Sequence, residues 1–89
     1  MKSRTTERFR EAFEALPVHV QRQAREAYRQ FARDPYHPSL RFKPVHARRP
    51  IYAVRIGRDY RALGIRQEDE VLWFWIGPHR EYETLLARL

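Results

Sequence analysis

The stretch YAVRIGRDYRAL, residues 52–63, decides the fold prediction. Apolar side chains alternate with other types over residues 51–56 and again over residues 60–66, which is the period of a β-strand. The three residues between these segments, 57–59, are Gly-Arg-Asp and are typical of a hairpin turn. The stretch therefore predicts two antiparallel strands that carry arginines.

A third extended segment follows at residues 71–76, VLWFWI. It is apolar on both faces, so we expect it to be the central strand of the sheet, covered on both sides. Gly-Pro at positions 77 and 78 ends this strand. Residues 79–89 predict a short helix, because their apolar side chains recur at helical spacing.

Two helices are predicted before the strands. Thr5 or Thr6 is suited to cap the first helix, which ends before Pro17. The second helix spans residues 18–33, where apolar side chains again share one face.

The segments at the two edges of the predicted sheet are short. Residues 2–4 are too few and too polar to predict a strand, and residues 39–42 suggest a short edge strand before Pro44. The predicted fold is a single α+β domain over residues 1–89. An N-terminal helical hairpin packs on a small twisted antiparallel sheet of three or four strands, and a short C-terminal helix follows.

Positive charge is concentrated in the middle of the chain. The formal net charge of the whole chain is +7, and residues 41–66 hold eight basic side chains against one acidic side chain. Such a local excess favours a polyanionic partner, either nucleic acid or an acidic protein, although a solvated Arg-rich surface is an equal alternative.

The composition limits the classes of site. Without cysteine the chain has no disulfide or thiolate metal site, and its histidines lack ligand spacing, so we predict no metal and no cofactor. No apolar run is long enough for a membrane span, and we expect a soluble, cytoplasmic protein without a membrane partner.

Four residues are candidates for chemistry. His79 and Tyr82 are three residues apart on the predicted C-terminal helix and share a face, and histidine is the natural acid or base near neutral pH. Arg55 and Arg61 interrupt apolar strands and could lie side by side across the hairpin. In the alternative interpretation, His79 only begins the helix, Tyr82 belongs to the core, and the arginines pair with a carboxylate such as Asp59, Glu81 or Glu83.

Three segments in this order resemble the RelE/ParE family of bacterial toxins over most of the chain. They are residues 34–40 (DPYHPSL), residues 52–63, and residues 75–82, in which Trp-Ile-Gly-x-His-x-x-Tyr appears. The resemblance departs from the family at its start, because members usually begin with an edge strand.

The resemblance to the RelE-like branch implies a toxin of a type II toxin–antitoxin system, a ribosome-dependent endoribonuclease that cuts mRNA and inhibits translation without a metal. It implies a cognate antitoxin, the ribosome and mRNA as partners. It places Arg61 on the phosphate with Arg55 in support, His79 as general acid or base, and Tyr82 orienting the phosphate or the 2′-hydroxyl. The residues expected to bind RNA along the basic surface are Arg41, Lys43, Arg48, Arg49 and Arg58.

Two other functions remain open at this point. The ParE-like branch has the same fold but inhibits DNA gyrase, and a non-catalytic RNA- or protein-binding module would use the same basic surface. His79, Tyr82 and Arg55 together favour the nuclease.

Overall fold

A computed structural model describes all 89 residues, Met1–Leu89. In chain order the elements are β1 (Lys2–Thr5), α1 (Glu7–Glu14), α2 (Val18–Arg33), a 3₁₀ turn (Pro38–Leu40), β2 (Lys43–Pro44), β3 (Ile51–Ile56), β4 (Tyr60–Gln67), β5 (Glu70–Pro78) and α3 (His79–Arg88). The α+β class, the helical hairpin and the C-terminal helix are confirmed. None of the helices is long and apolar enough to cross a membrane.

The sheet is larger than predicted. It has five strands in the order β1-β5-β4-β3-β2, and β1 pairs parallel to β5 while the other pairs are antiparallel. The prediction of three or four antiparallel strands was wrong in this respect. The cause is β1, whose four residues are half-buried or exposed, so that backbone pairing rather than an apolar pattern defines the strand.

Two further predictions are corrected by the sheet order. The middle strand is β4, whereas β5 lies between β1 and β4. Residues 39–42 do not form a strand, because Pro38–Leu40 makes a 3₁₀ turn and the edge strand is Lys43–Pro44. Arg41 ends that turn with a φ of 48°, a left-handed conformation that interrupts extended backbone.

The helical hairpin covers one face of the sheet. Thr6 caps α1 by accepting a hydrogen bond from the Phe9 backbone N–H at 3.1 Å, as predicted for Thr5 or Thr6. Phe31 of α2 is 3% exposed and meets the ring of Trp73 edge-on, with a centroid distance of 5.5 Å. The buried side chains that complete this core are Leu40, Val54, Ile56, Ala62, Val71 and Ile76.

Helix α3 covers the opposite face. Tyr82 packs there against Ile51, Ala53 and Leu63, which alternate with the hairpin-facing residues along β3 and β4. The ten residues of α3 cover only part of this face. The sheet face beside α3 therefore stays partly open.

A pair of substitutions in α2 tests this packing. We expect Phe31→Ala to lower the free energy of unfolding by about 3–5 kcal/mol, because it leaves a cavity against Trp73. Tyr28→Ala on the same helix, where the side chain is 58% exposed, should change it by less than about 1 kcal/mol. Chemical denaturation measures both, and equal losses would contradict the described core.

Candidate functional site

Arg55 and Arg61 are direct cross-strand partners at the turn end of β3 and β4. Directly opposed residues of an antiparallel pair point to the same face. Their neighbours along the strands, Ala53 and Leu63, belong to the core under α3, so both arginines lie on the α3 face. The structure thus brings together the two arginines that the sequence singled out.

Neither arginine is neutralised by a carboxylate. Arg55 donates from Nε to the Gly57 carbonyl at 2.9 Å, and Arg61 donates from Nη1 to the Tyr60 carbonyl at 2.8 Å. The four ion pairs of the structure use other basic groups. The alternative of arginines paired with Asp59, Glu81 or Glu83 was therefore wrong.

The guanidinium of Arg61 lies where its positive charge is unfavourable. Burial and the nearby charge of Arg55 lower the pKa of Arg61, and the charge of Arg41 acts in the same direction. Arginine still remains a cation at neutral pH. Unpaired and partly desolvated, these guanidinium groups form a concentrated positive field that an anion would relieve.

His79 and Tyr82 stand beside these arginines. His79 is the first residue of α3, and its backbone N–H donates to the Asp59 carbonyl at 2.7 Å, which ties the helix to the β3–β4 turn. The His79 and Tyr82 rings are 5.6 Å apart between centroids. On β5, Gly77 is the cross-strand partner of Arg61. Helix α3 begins two residues later, at His79, and thus starts close to the arginine pair.

Tyr82 has both a packing role and a place near the charges. Its side chain is 7% exposed. The Tyr82 hydroxyl makes no hydrogen bond with the protein. It is not fully buried, since the one buried side-chain N or O atom without a hydrogen-bond partner is His79 Nδ1. Burial raises the pKa of Tyr82, against the opposing charge of Arg61, so the phenol keeps its proton and can act as a donor.

The other predicted RNA contacts fall into two groups. Lys43 is the cross-strand partner of Ala53 and so shares the α3 face, and Arg41 is close enough for its charge to act on Arg61. Arg58 lies in the turn next to Arg55 and Arg61. Arg48 and Arg49 lie in the loop before β3, at the far end of that strand, where His46 Nδ1 accepts their backbone N–H groups at 3.0 Å.

Glu83 pairs with His79, a contact that the sequence analysis did not predict. Its Oε1 lies 2.5 Å from His79 Nε2, one helical turn away on α3. The spacing of four residues on a predicted helix is a signal that could have found this pair. The structure contains no group of three or more His, Asp or Glu side chains that could hold a metal ion.

The raised pKa of Tyr82 predicts how stability depends on pH. The folded chain keeps the phenol proton to higher pH than the unfolded chain, which titrates near 10. The stabilisation is thus present below about pH 10 and is lost as pH rises through the folded pKa. Between about pH 9 and about pH 11, we expect Tyr82→Phe to lose less free energy of unfolding than the wild type.

Denaturation at the two pH values measures this difference. Tyr28→Phe, which removes a phenol from an exposed site, is the control and should follow the wild type. An identical pH dependence in Tyr82→Phe and the wild type would contradict the described burial.

Solved structures with the same fold come from archaea and bacteria. A chain of the RelB–RelE antitoxin–toxin complex from Methanococcus jannaschii is 12% identical, with a TM-score of 0.73 over 92% of this chain and 96% of that chain. A chain of the RelE–RelB complex from Pyrococcus horikoshii is 16% identical, with a TM-score of 0.69 over 86% and 92%. The YoeB/ParE toxin from Agrobacterium tumefaciens is 14% identical, with a TM-score of 0.68 over 89% and 99%.

At these identities the structural matches establish the fold. No curated protein is significantly similar to the chain in sequence. The ParE-like toxin domain, however, matches residues 18–84, which is most of the chain. The chain therefore belongs to the family of ParE-like toxins.

Proposed function

We propose that this chain is the toxin of a type II toxin–antitoxin pair and acts as a metal-independent, ribosome-associated mRNA endoribonuclease that stops translation in the cytoplasm. The observation that carries this proposal is the pair Arg55 and Arg61, opposed across two strands without a carboxylate partner. The charge of Arg61 acts on Tyr82, whose ring centroid lies 5.6 Å from that of His79. Two free guanidinium groups form a site for a phosphate, and an imidazole next to it supplies a group for proton transfer.

The proposed reaction is transesterification within the RNA chain. The ribose 2′-oxygen attacks the adjacent phosphorus, the bond from phosphorus to the 5′-oxygen breaks, and a 2′,3′-cyclic phosphate and a 5′-hydroxyl result. Arg61, supported by Arg55, stabilises the charge that develops on the non-bridging oxygens. Tyr82 donates a hydrogen bond from its protonated phenol, and His79 takes part in the proton transfers.

The rest of the basic surface has a role in holding the RNA. Lys43 and Arg41 extend the positive field from the arginine pair along the α3 face. They form no ion pairs, so each can release counterions when it contacts a phosphate. The ribosome as the setting of the reaction follows from the resemblance to the RelE-like branch.

We also propose an antitoxin partner. The related chains from M. jannaschii and P. horikoshii belong to RelB–RelE complexes. A net charge of +7 makes this chain complementary to an acidic or amphipathic segment. Such a segment would neutralise the same arginines that the nuclease reaction uses.

The second candidate is inhibition of DNA gyrase. The family that matches the chain is described as ParE-like, which favours this function, and a gyrase inhibitor has no need of the acid–base group beside the arginines. The two functions differ in what they damage, so one experiment separates them.

The experiment is induced expression in bacteria, with growth and mRNA 5′ ends followed together. We expect the wild type to arrest growth and create new mRNA ends. Arg61→Gln and His79→Ala should each lower the yield of those ends by about tenfold or more, because Arg61 stabilises the reacting phosphate and His79 serves the proton transfers.

Arg22→Gln is the matched control, because it removes one exposed positive charge from α2 on the opposite layer. It should leave both growth arrest and the mRNA ends unchanged. Growth arrest with intact mRNA and inhibited supercoiling by purified gyrase would replace the nuclease with the gyrase function. Binding of RNA or protein without either activity would leave a non-catalytic module.

A further inference from the structure

The two ring nitrogens of His79 have different surroundings. Nδ1 is buried and has no hydrogen-bond partner, whereas Nε2 meets the Glu83 carboxylate. A buried N–H without an acceptor is costly. Buried N–H groups without a partner are also rarer in proteins than buried acceptor atoms without one. The structure therefore favours a proton on Nε2, which faces the Glu83 carboxylate, over a proton on Nδ1.

This arrangement limits what His79 can do by itself. Nδ1 is closed to solvent, and Nε2 faces Glu83. The carboxylate is the more accessible member of this pair for an incoming hydroxyl, because the Glu83 side chain is 66% exposed against 44% for His79. The second oxygen of Glu83 is not part of the ion pair and remains free to accept a hydrogen bond.

The surroundings suit a carboxylate that works beside a phosphate. Tyr82 stacks near the His79 ring, and its phenol lies in the field of both Arg61 and Glu83. The Asp59 carbonyl holds the backbone of His79 from the turn side. Glu83 thus lies beside a phenol and an imidazole, and the charges of both Glu83 and Arg61 act on that phenol.

We propose that Glu83 is the general base of the reaction and that His79 positions it through the contact of Nε2 with the carboxylate. This inference rests on the proposed nuclease function. Glu83 takes the proton from the 2′-hydroxyl while the 2′-oxygen bonds to phosphorus and the 5′-oxygen leaves. The 5′-oxygen takes a proton from water, and Glu83 gives its proton to the resulting hydroxide, so the protein returns to its starting state.

The test is cleavage of mRNA by the purified full chain with ribosomes, measured as kcat and KM. Glu83→Gln keeps the shape of the side chain and its ability to accept from His79, but it cannot take a proton. We expect its kcat to fall on the order of 100-fold with KM within about twofold. His79→Ala leaves the carboxylate in place, so its kcat should fall less, by about tenfold.

Two further variants separate a chemical role from a structural one. Glu81→Gln changes an exposed carboxylate on the same turn of α3 that forms no ion pair, and it should match the wild type. Glu83→Ala should regain part of its kcat when formate is added, because formate can enter the space and accept the proton. Circular dichroism of each variant checks that α3 remains folded.

The outcomes distinguish this inference from the function on which it rests. Cleavage by the wild type with an unchanged kcat in Glu83→Gln would overturn the role of Glu83 and leave the nuclease intact. A larger loss in His79→Ala than in Glu83→Gln would make His79 the base and overturn the inference as well. No cleavage by the wild type would overturn the proposed function together with it.

Discussion

The pairing register of β3 and β4 is the constraint on which the rest of the structure depends. Residues 51–56 meet residues 60–65 one to one, so that Arg55 opposes Arg61 and Val54 opposes Ala62. A slip of one residue in either strand would turn the arginine of that strand into the aromatic core below the helical hairpin and expose the apolar side chains of the same strand. Burying unpaired guanidinium groups there is strongly unfavourable, so the same energetics that build the core also place the cations together.

The unequal layers on the two faces leave this site open. Two helices pack on one face, while α3 alone covers part of the other, where Ile65 and Leu72 remain 42% and 38% exposed. At the end near the turn, Gly77 has no side chain, and a Cβ there would stand 2.7 Å from the Trp75 ring. The Trp75 indole therefore lies against the backbone of Gly77, the cross-strand partner of Arg61.

The electrostatics of the open face explain why a shared fold can serve different targets. Unpaired arginines on strands cost stability through mutual repulsion, and a bound polyanion offsets that cost. RNA, or an acidic segment of a protein, meets this condition equally well. The proposed chemistry on RNA further needs a proton acceptor near the phosphate, and the start of α3 offers His79 and Glu83 for this role. The identity between this chain and solved structures of the same fold is low. This is expected of a fold in which the sheet requires only apolar patterning.

The sequence by itself determined the secondary structure of the helices and of β3, β4 and β5, because periodic apolar patterns and turn residues act locally. It also identified Arg55, Arg61, His79 and Tyr82 as the candidate site residues. The tertiary structure alone decided that β1 pairs with β5, because a short polar strand is defined by hydrogen bonds to a partner about 70 residues away. It likewise decided that Glu83 joins His79 rather than an arginine, and that Nδ1 is sealed, because burial and partner choice arise only when helix, turn and sheet meet in space.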